Sequence, residues 1–392
     1  MRRLQLSDVV SVESGSGFPL EDQGHRSDEF PFLKVSDMNL AGNQREIYRW
    51  NHSVSDVVRK KLRAKAFPAG SLIFPKVGAA IGTNKKRQLT CPSCVDNNVM
   101  ALVPNTSLLD PDFLYFLFLA KNLSDLASDS NPPSIRKSEV ERLAVVLPPL
   151  PEQRRIVDIL SRAEGIVRLR RDAEKKAAEL IPALFINSFG DPANNPKGWP
   201  VAKIGELGRV QLGRQRAPKY QSGAHTHPYV RVANVFEDRI DVSDLLSMDF
   251  DKNDFAKYRL EYGDILLNEG QSTELVGRPA LWRGEVKDCC FQNTLVRFQP
   301  NPDLLRAEFA FVVLLHYYRS GVLSQISSKT SSIAHLGAGR FAKLPLFYPP
   351  LALQVEFIKQ FDAIRSIQLQ QSAATAKALA TFDALLADAF RI

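Results

Sequence analysis

The chain has 392 residues, 44% hydrophobic and 24% charged, with 51 Lys and Arg against 43 Asp and Glu and only four cysteines. That balance excludes a disordered chain, a collagen-like repeat and a small disulfide scaffold, and the length allows two or three cores that fold on hydrophobic burial alone. A net charge of +8 favours a polyanionic partner, and the longest apolar run, Phe113 to Ala120, is too short to span a bilayer.

In chain order, residues 1–147 mix short β-branched and aromatic runs with turn signals such as Phe67-Pro68-Ala69-Gly70, and a helix is predicted near Pro111. Asp8 arrives before any apolar core of a secretory signal, so the cytoplasm is the expected compartment. Residues 148–197 read as a boundary at Pro148-Pro149-Leu150 and one long helix from Glu152 to about Phe189. Pro151 suits its first turn, where the missing N–H is not needed, and Pro182 is expected to bend or end it. Residues 198–347 repeat the first grammar, and residues 348–392 repeat the second, with a helix from about Ala352 to Phe390.

The duplication is legible position by position. Pro31-Phe32-Leu33-Lys34-Val35-Ser36-Asp37-Met38 matches Pro228-Tyr229-Val230-Arg231-Val232-Ala233-Asn234-Val235. Gly70-Ser71-Leu72-Ile73 matches Gly263-Asp264-Ile265-Leu266, Asn98 matches Asn293, Phe113 to Leu119 matches Phe309 to Leu315, and Pro149-Leu150 with Gln153 matches Pro350-Leu351 with Gln354.

A coiled-coil seam is predicted on the first helix at Ile156, Ile159, Ala163, Ile166, Arg170, Ala173, Ala177, Leu180 and Leu184. Its counterpart runs through Phe357, Gln360, Ile364, Ile367, Gln371, Ala374, Ala378, Thr381 and Leu385. Neither stripe can be buried by its own helix, so an antiparallel pair is expected, with Arg170 and Gln371 as a polar layer that fixes register.

The run Leu147-Pro148-Pro149-Leu150-Pro151-Glu152-Gln153-Arg154-Arg155-Ile156-Val157, its helix through Phe189-Gly190-Asp191-Pro192, and the degenerate copy over Tyr348 to Phe390 resemble the specificity subunit of type I restriction-modification systems. In the second copy Ala352 and Leu353 replace Pro and Glu. The resemblance implies an α/β chain in tandem duplication: two mixed α+β target-recognition domains, residues 1–147 and 198–347, separated by two long antiparallel coiled-coil helices. It further implies a DNA sequence-specificity subunit without an active site, each domain reading one half of a bipartite duplex target. Two modification (adenine methyltransferase) subunits and ATP-dependent restriction subunits would assemble around it. S-adenosylmethionine, ATP and Mg2+ would belong to those partners, with no cofactor on this chain.

Base readout needs Arg, Lys, Asn or Gln on exposed backbone, while other cations hold phosphates. The first domain offers Lys76, Asn84, Lys85, Lys86, Arg87, Arg136 and Lys137. The second offers Arg214, Gln215, Arg216, Lys219, Gln271, Ser272, Arg278, Lys329 and Arg340. Lys34 and Arg231 occupy matched positions and suit phosphates or scaffold, because base-reading residues should differ between domains that read different half-sites; Asp37 and Asn234 are matched likewise.

Competing classes are a stand-alone methyltransferase or endonuclease and a coiled-coil interaction scaffold. Asn131-Pro132-Pro133-Ser134 lacks the aromatic that an amino-methyltransferase places on a flipped base. Asp264 with Glu285 and Lys287 makes only a weak nuclease pattern, and no P-loop exists. Cys91-Pro92-Ser93-Cys94 supplies two zinc ligands at most, and Cys289 and Cys290 lie in the other repeat, so buried reduced thiols and no metal are expected.

Overall fold

The computed structural model describes residues 2–329 and 333–390. Its framework uses four helices: α1 (Pro111–Leu119), α2 (Leu150–Phe189), α3 (Ala307–Arg319) and α4 (Leu351–Phe390). Contacts divide the chain into two compact units, residues 1–172 with 373–392, and residues 173–372. Each unit therefore holds one half of α2 and the opposite half of α4.

In the first unit Val10–Ser14, Val99–Pro104, Leu72–Pro75, Arg87–Leu89 and Glu46–Ile47 form a five-stranded sheet in that order, antiparallel except for the last pair. Phe30–Leu33 lies between Ser53–Val54 and Cys94–Val95 in a smaller sheet. Arg2–Gln5 pairs with Ala144–Leu147, which joins the two ends of the domain. Asp110 caps α1, its Oδ1 accepting from the backbone N–H groups of Asp112 and Phe113 at 2.9 and 3.3 Å, and Pro111 fills the first turn. Every residue from Phe113 to Phe118 is buried. A helix apolar all round must be covered all round. Leu72, Phe74 and Leu102 from the sheet and Leu160, Val167, Phe382 and Leu386 from the long helices share its core. Each such side chain contributes about 1.5–3 kcal/mol by burial.

The second unit repeats the plan. Gly208–Leu212, Leu295–Pro300, Ile265–Asn268 and Pro279–Leu281 form an antiparallel sheet, and Thr226–Val230 lies between Leu246–Asp249 and Cys290–Phe291. Val201–Lys203 pairs with Pro345–Phe347. Here α3 is the central helix, sharing a core with Ile265, Val296 and Phe298 and with Ile181, Phe185, Phe189, Phe357 and Phe361. Cys94 and Cys290 sit on equivalent strands, parallel to Phe32 and Tyr229, and burial pushes their thiols up to about 11 and about 12.

The long helices are antiparallel. In the second unit Phe185 of α2 meets Phe357 of α4 with ring centroids 5.7 Å apart, while Gln368 Nε2, further along α4, donates to the Ala177 carbonyl, further back along α2, at 2.8 Å. In the first unit the start of α2 shares a core with the end of α4. Ala177 and Phe357 of the predicted seam are buried, while at other positions the buried side is displaced by about one residue. Leu160 and Val167 are buried, whereas Ile159 and Ile166 are exposed; Phe361, Phe382 and Leu386 are buried, whereas Gln360, Ile367 and Thr381 are exposed. The reason is that each helix faces a globular domain as well as its partner, so the buried arc turns toward the domain core and a two-helix heptad no longer describes it. Arg170 is exposed and Gln371 half-buried. Pro182 does not end α2, which continues to Phe189 with Phe185 and Phe189 buried beyond it.

One residue type ties helix to domain in both copies. Gln153 is fully buried; its Oε1 accepts from Asp110 N at 2.8 Å, and its Nε2 donates to the Leu108 and Pro148 carbonyls, each at 2.8 Å. Gln354, equally buried, accepts from Arg306 N at 2.8 Å and donates to Leu304 O at 3.0 Å and Pro349 O at 2.7 Å. The amide spans the cap of the central helix and the entry of the long helix, and only a side chain with both donor and acceptor satisfies all three groups. We predict that Gln153→Leu lowers the opening free energy of α1 by about 3 kcal/mol, because buried backbone groups lose their partners. Hydrogen exchange at the α1 amides measures this; a change below about 1 kcal/mol would contradict it.

Candidate nucleic-acid interface

A small β-ribbon recurs at the same place in both units. In the second, Gly270–Gln271 pairs antiparallel with Ala334–His335, which pairs antiparallel with Ser328–Lys329. In the first, Val77 bridges Ser134 and Ala127 bridges Ile135, with Ile135 N donating to Lys76 O at 2.9 Å. These ribbons gather Lys76, Arg136 and Lys137 in one unit and Gln271, Ser272, Lys329 and Arg340 in the other. Lys329, Arg136 and Lys137 are exposed. A β-ribbon is narrow enough to enter the major groove, and exposed cations beside it are suited to phosphates.

The ribbons also carry polar groups that sequence reasoning missed. Ser128 Oγ lies 2.7 Å from Ser130 Oγ and 3.2 Å from Ser134 Oγ, and His335 Nδ1 lies 3.0 Å from Glu269 Oε2. Serines and a lone histidine in a polar loop give no sequence signal until the strand pairing is known.

Several candidates already have partners within the fold, Lys86 buried and Arg340 exposed. Lys86 is 2% exposed, and its Nζ donates to Asn84 Oδ1 and Lys121 O, both at 2.7 Å; burial pushes its pKa down to about 8. Asn84 takes a left-handed φ of 54° and its Oδ1 also accepts from Leu123 N, so it caps a turn. Lys85 reaches Asn39, and Arg87 donates to the Lys86 and Met38 carbonyls. Lys76 Nζ donates to Ser14 Oγ at 2.9 Å. Arg278 donates to Val235 O and lies 5.0 Å from the Phe236 ring, and Arg340 donates to the Leu336 and His335 carbonyls and to Ser328 Oγ.

The matched pair Lys34 and Arg231 has a structural origin. Lys34 N donates to Asp37 Oδ2 at 2.8 Å, and Arg231 N donates to Asn234 Oδ1 at 3.0 Å, so buried Asp37 and Asn234 close the same turn. The Lys34 Nζ reaches Gln23, and the Arg231 guanidinium pairs with Asp244 at 2.7 Å. Asp264 is spent likewise: its carboxylate takes Glu261 N, Gln299 Nε2 and the buried Arg297 guanidinium. Asp264 is therefore not free to serve the weak nuclease pattern. Among the described residues no group of three or more His, Cys, Asp or Glu could hold a metal ion, and no helix is long and apolar enough to cross a membrane.

Arg214 anchors one end of a second exposed loop. It is 6% exposed, lies 3.7 Å from the Tyr220 ring and 5.2 Å from the Phe250 ring, pairs with Asp254 at 2.5 Å, and donates to Asp249 O. Asp249 holds the other end, accepting from Ser222 Oγ, Gly223 N, His225 N and Thr226 Oγ1 at 2.7–3.1 Å. The Ser222 hydroxyl and then the backbone N–H groups hold its carboxyl well below the usual carboxylate range. Between the anchors Gln215 and Arg216 are exposed. The side chain of Lys219 lies outside the described residues.

Residues 2–179 and 196–376 each match the family described as Type I restriction modification DNA specificity domain. The chain belongs to this family. Over 259 residues it is 23% identical to the Type I restriction enzyme MjaIX specificity subunit of Methanocaldococcus jannaschii, covering 59% of this chain and 57% of that relative. It is also 23% identical, over 42% of this chain and 39% of the relative, to the Putative type I restriction enzyme MjaX specificity subunit of the same organism. Its aligned stretches thus span little more than half of these relatives at most. The fold is similar to the solved type I restriction-modification S subunit from M. genitalium, with a TM-score of 0.59 and 12% identity over 99% of this chain and 96% of that one. A chain from a solved structure concerning complex assembly and conformational transition of the type I R-M system gives 0.59 and 18%, over 99% and 97%.

Because the Asp249 pKa is depressed, its hold on the loop is complete above the ordinary carboxylate range and is lost only as pH falls through the lowered value. We predict that at pH 7 Asp249→Ala raises amide exchange at Gly223 and His225 by about tenfold or more, with little change at the α3 amides. Unchanged loop exchange would contradict the anchoring role.

Proposed function

We propose that this chain is the DNA sequence-specificity subunit of a type I restriction-modification complex, binding a bipartite duplex target with one half-site per recognition domain. The observation that carries this reading is the recurrence of the ribbon at equivalent positions of two domains, flanked by exposed side chains that differ: Arg136 and Lys137 in one, Lys329 in the other. Equivalent placement gives both domains the same way of approaching a groove, and different side chains let them read different bases. The domains presented are residues 1–147 and 198–347, and the helical segments 148–197 and 348–392 separate the half-sites.

In this reading the chain performs no catalysis. Two modification subunits, carrying S-adenosylmethionine, methylate an adenine in the bound target, and restriction subunits use ATP and Mg2+. An adenine must leave the base stack to be methylated, so the bound chain holds the duplex while a partner extracts the base. Exposed apolar side chains on the long helices suit partner docking: Ile159, Ile166 and Leu169 in the first unit, and Leu353, Val355, Ile367 and Leu369 in the second.

Phosphate contacts release counterions, so affinity should fall steeply with salt, with a log–log slope of about −0.9 for each neutralised phosphate. Arg216→Ala with Lys329→Ala should weaken binding to all duplexes and reduce the slope by about two. Fluorescence anisotropy of the purified chain between low and physiological salt measures both quantities. A flat salt dependence in the unsubstituted chain would favour an interaction scaffold instead.

A further inference from the structure

The two recognition domains touch their long helices through ion pairs of opposite polarity. In the first unit Arg45, two residues before the buried strand residue Ile47, pairs with Glu164 of α2 at 3.0 Å and with Asp112 of α1 at 2.6 Å. Its guanidinium lies 4.8 Å from the Tyr115 ring, and the Tyr115 hydroxyl donates to Glu164 at 3.0 Å. In the second unit Asp238, likewise two residues before a buried strand isoleucine, Ile240, pairs with Arg365 of α4 and with Arg283 at 2.9 Å.

These are the same positions of the duplicated fold. Arg45 and Asp238 stand in the register that matches Gly70 with Gly263, and Glu164 and Arg365 in the register that matches Gln153 with Gln354. Tyr115 and Phe311 match in the register of α1 and α3. Both members of the pair are therefore inverted together: a cation between two carboxylates in one copy, a carboxylate between two cations in the other. The aromatic follows the inversion. Where the helix offers a carboxylate, a phenol donates to it; where it offers a guanidinium, the hydroxyl is missing. The four charged partners are only 20–28% exposed, so the interaction is less screened than on an open surface.

We propose that this inverted pair is a key that assigns each recognition domain to its own helix seat. Duplicated domains on duplicated helices present two docking seats of nearly the same shape, and apolar packing alone discriminates weakly between them. A first domain on the second seat would set Arg45 against Arg365, and a second domain on the first seat would set Asp238 against Glu164. Like charges at contact reject both mismatches, whether the stray domain comes from the same chain or from a second copy.

The test uses the full chain and hydrogen exchange at the α1 amides. Glu164→Gln, which removes the attraction only, should raise the opening constant about fivefold. Glu164→Arg, which presents the second seat's charge to Arg45, should raise it about fiftyfold. Adding Arg45→Asp and Tyr115→Phe to Glu164→Arg installs the second unit's pair and aromatic, Asp112→Asn removes the carboxylate that would face the one introduced at position 45, and the constant should return to within about fivefold of the unsubstituted chain. Equal effects of Gln and Arg at position 164 would show that charge sign does not discriminate, and a transplant that fails to recover would show that the partners do not act as a set. Either result overturns the proposal.

Discussion

Two buried glutamines carry the constraint on which the rest of this structure depends. A helix of 40 residues cannot bury its apolar stripe alone, and its start exposes backbone groups that must find partners. Gln153 and Gln354 tie the entry of each long helix to the cap of the central helix of its domain, which holds the apolar stripe against the domain core. The domain core and the helix then form one body, and the ribbon at the edge of the domain acquires a fixed direction relative to the helix. The proposed function would use that property, because half-site readout requires a reading edge rigidly indexed to whatever sets the gap.

Beyond this shared frame the copies diverge in their electrostatics. The second domain buries an ion pair, Asp264 with Arg297, at 3.2 Å. The register of Gly70 with Gly263, and the pairing of Ile73 with Ala101 and of Leu266 with Arg297, puts Ser71 and Ala101 at those positions in the first domain. Burial raises the Asp264 pKa and lowers that of Arg297, so this pair is sustained by its extra hydrogen bonds to Gln299, Glu261 and the Arg259 and Lys257 carbonyls. The clamps at the helices diverge more systematically, since both members of the domain–helix pair, Arg45 with Glu164 and Asp238 with Arg365, invert together. The glutamines hold the copies alike, and the charges keep them distinct.

The frame was legible in the sequence because repeats, prolines and long apolar periods are local signals. The duplication, the start of α1 near Pro111 and both long helices could be read directly. The seam was displaced because periodicity reports an apolar arc, and its centre depends on everything the helix touches; Leu160 and Val167 are inward only because a domain core lies beside the partner helix. Basic residues were harder still. Lys86, Arg87 and Arg214 sit in glycine-rich or polar stretches like exposed Lys329 and Arg216, and nothing local distinguishes a guanidinium that ends on a carbonyl from one that ends in solvent. The Gln153 motif was recognisable as a pattern, but its cause, three hydrogen bonds to loops far apart in sequence, required the fold.

The most direct measurement of the central claim is to incubate the chain and its cognate modification subunit with methyl donor and DNA, and to sequence the methylated sites. The account predicts a split motif with two defined halves, and exchange of residues 198–347 for those of another family member should change one half and leave the other intact. Methylation that is unaffected by the exchange, or that proceeds without this chain, would contradict it.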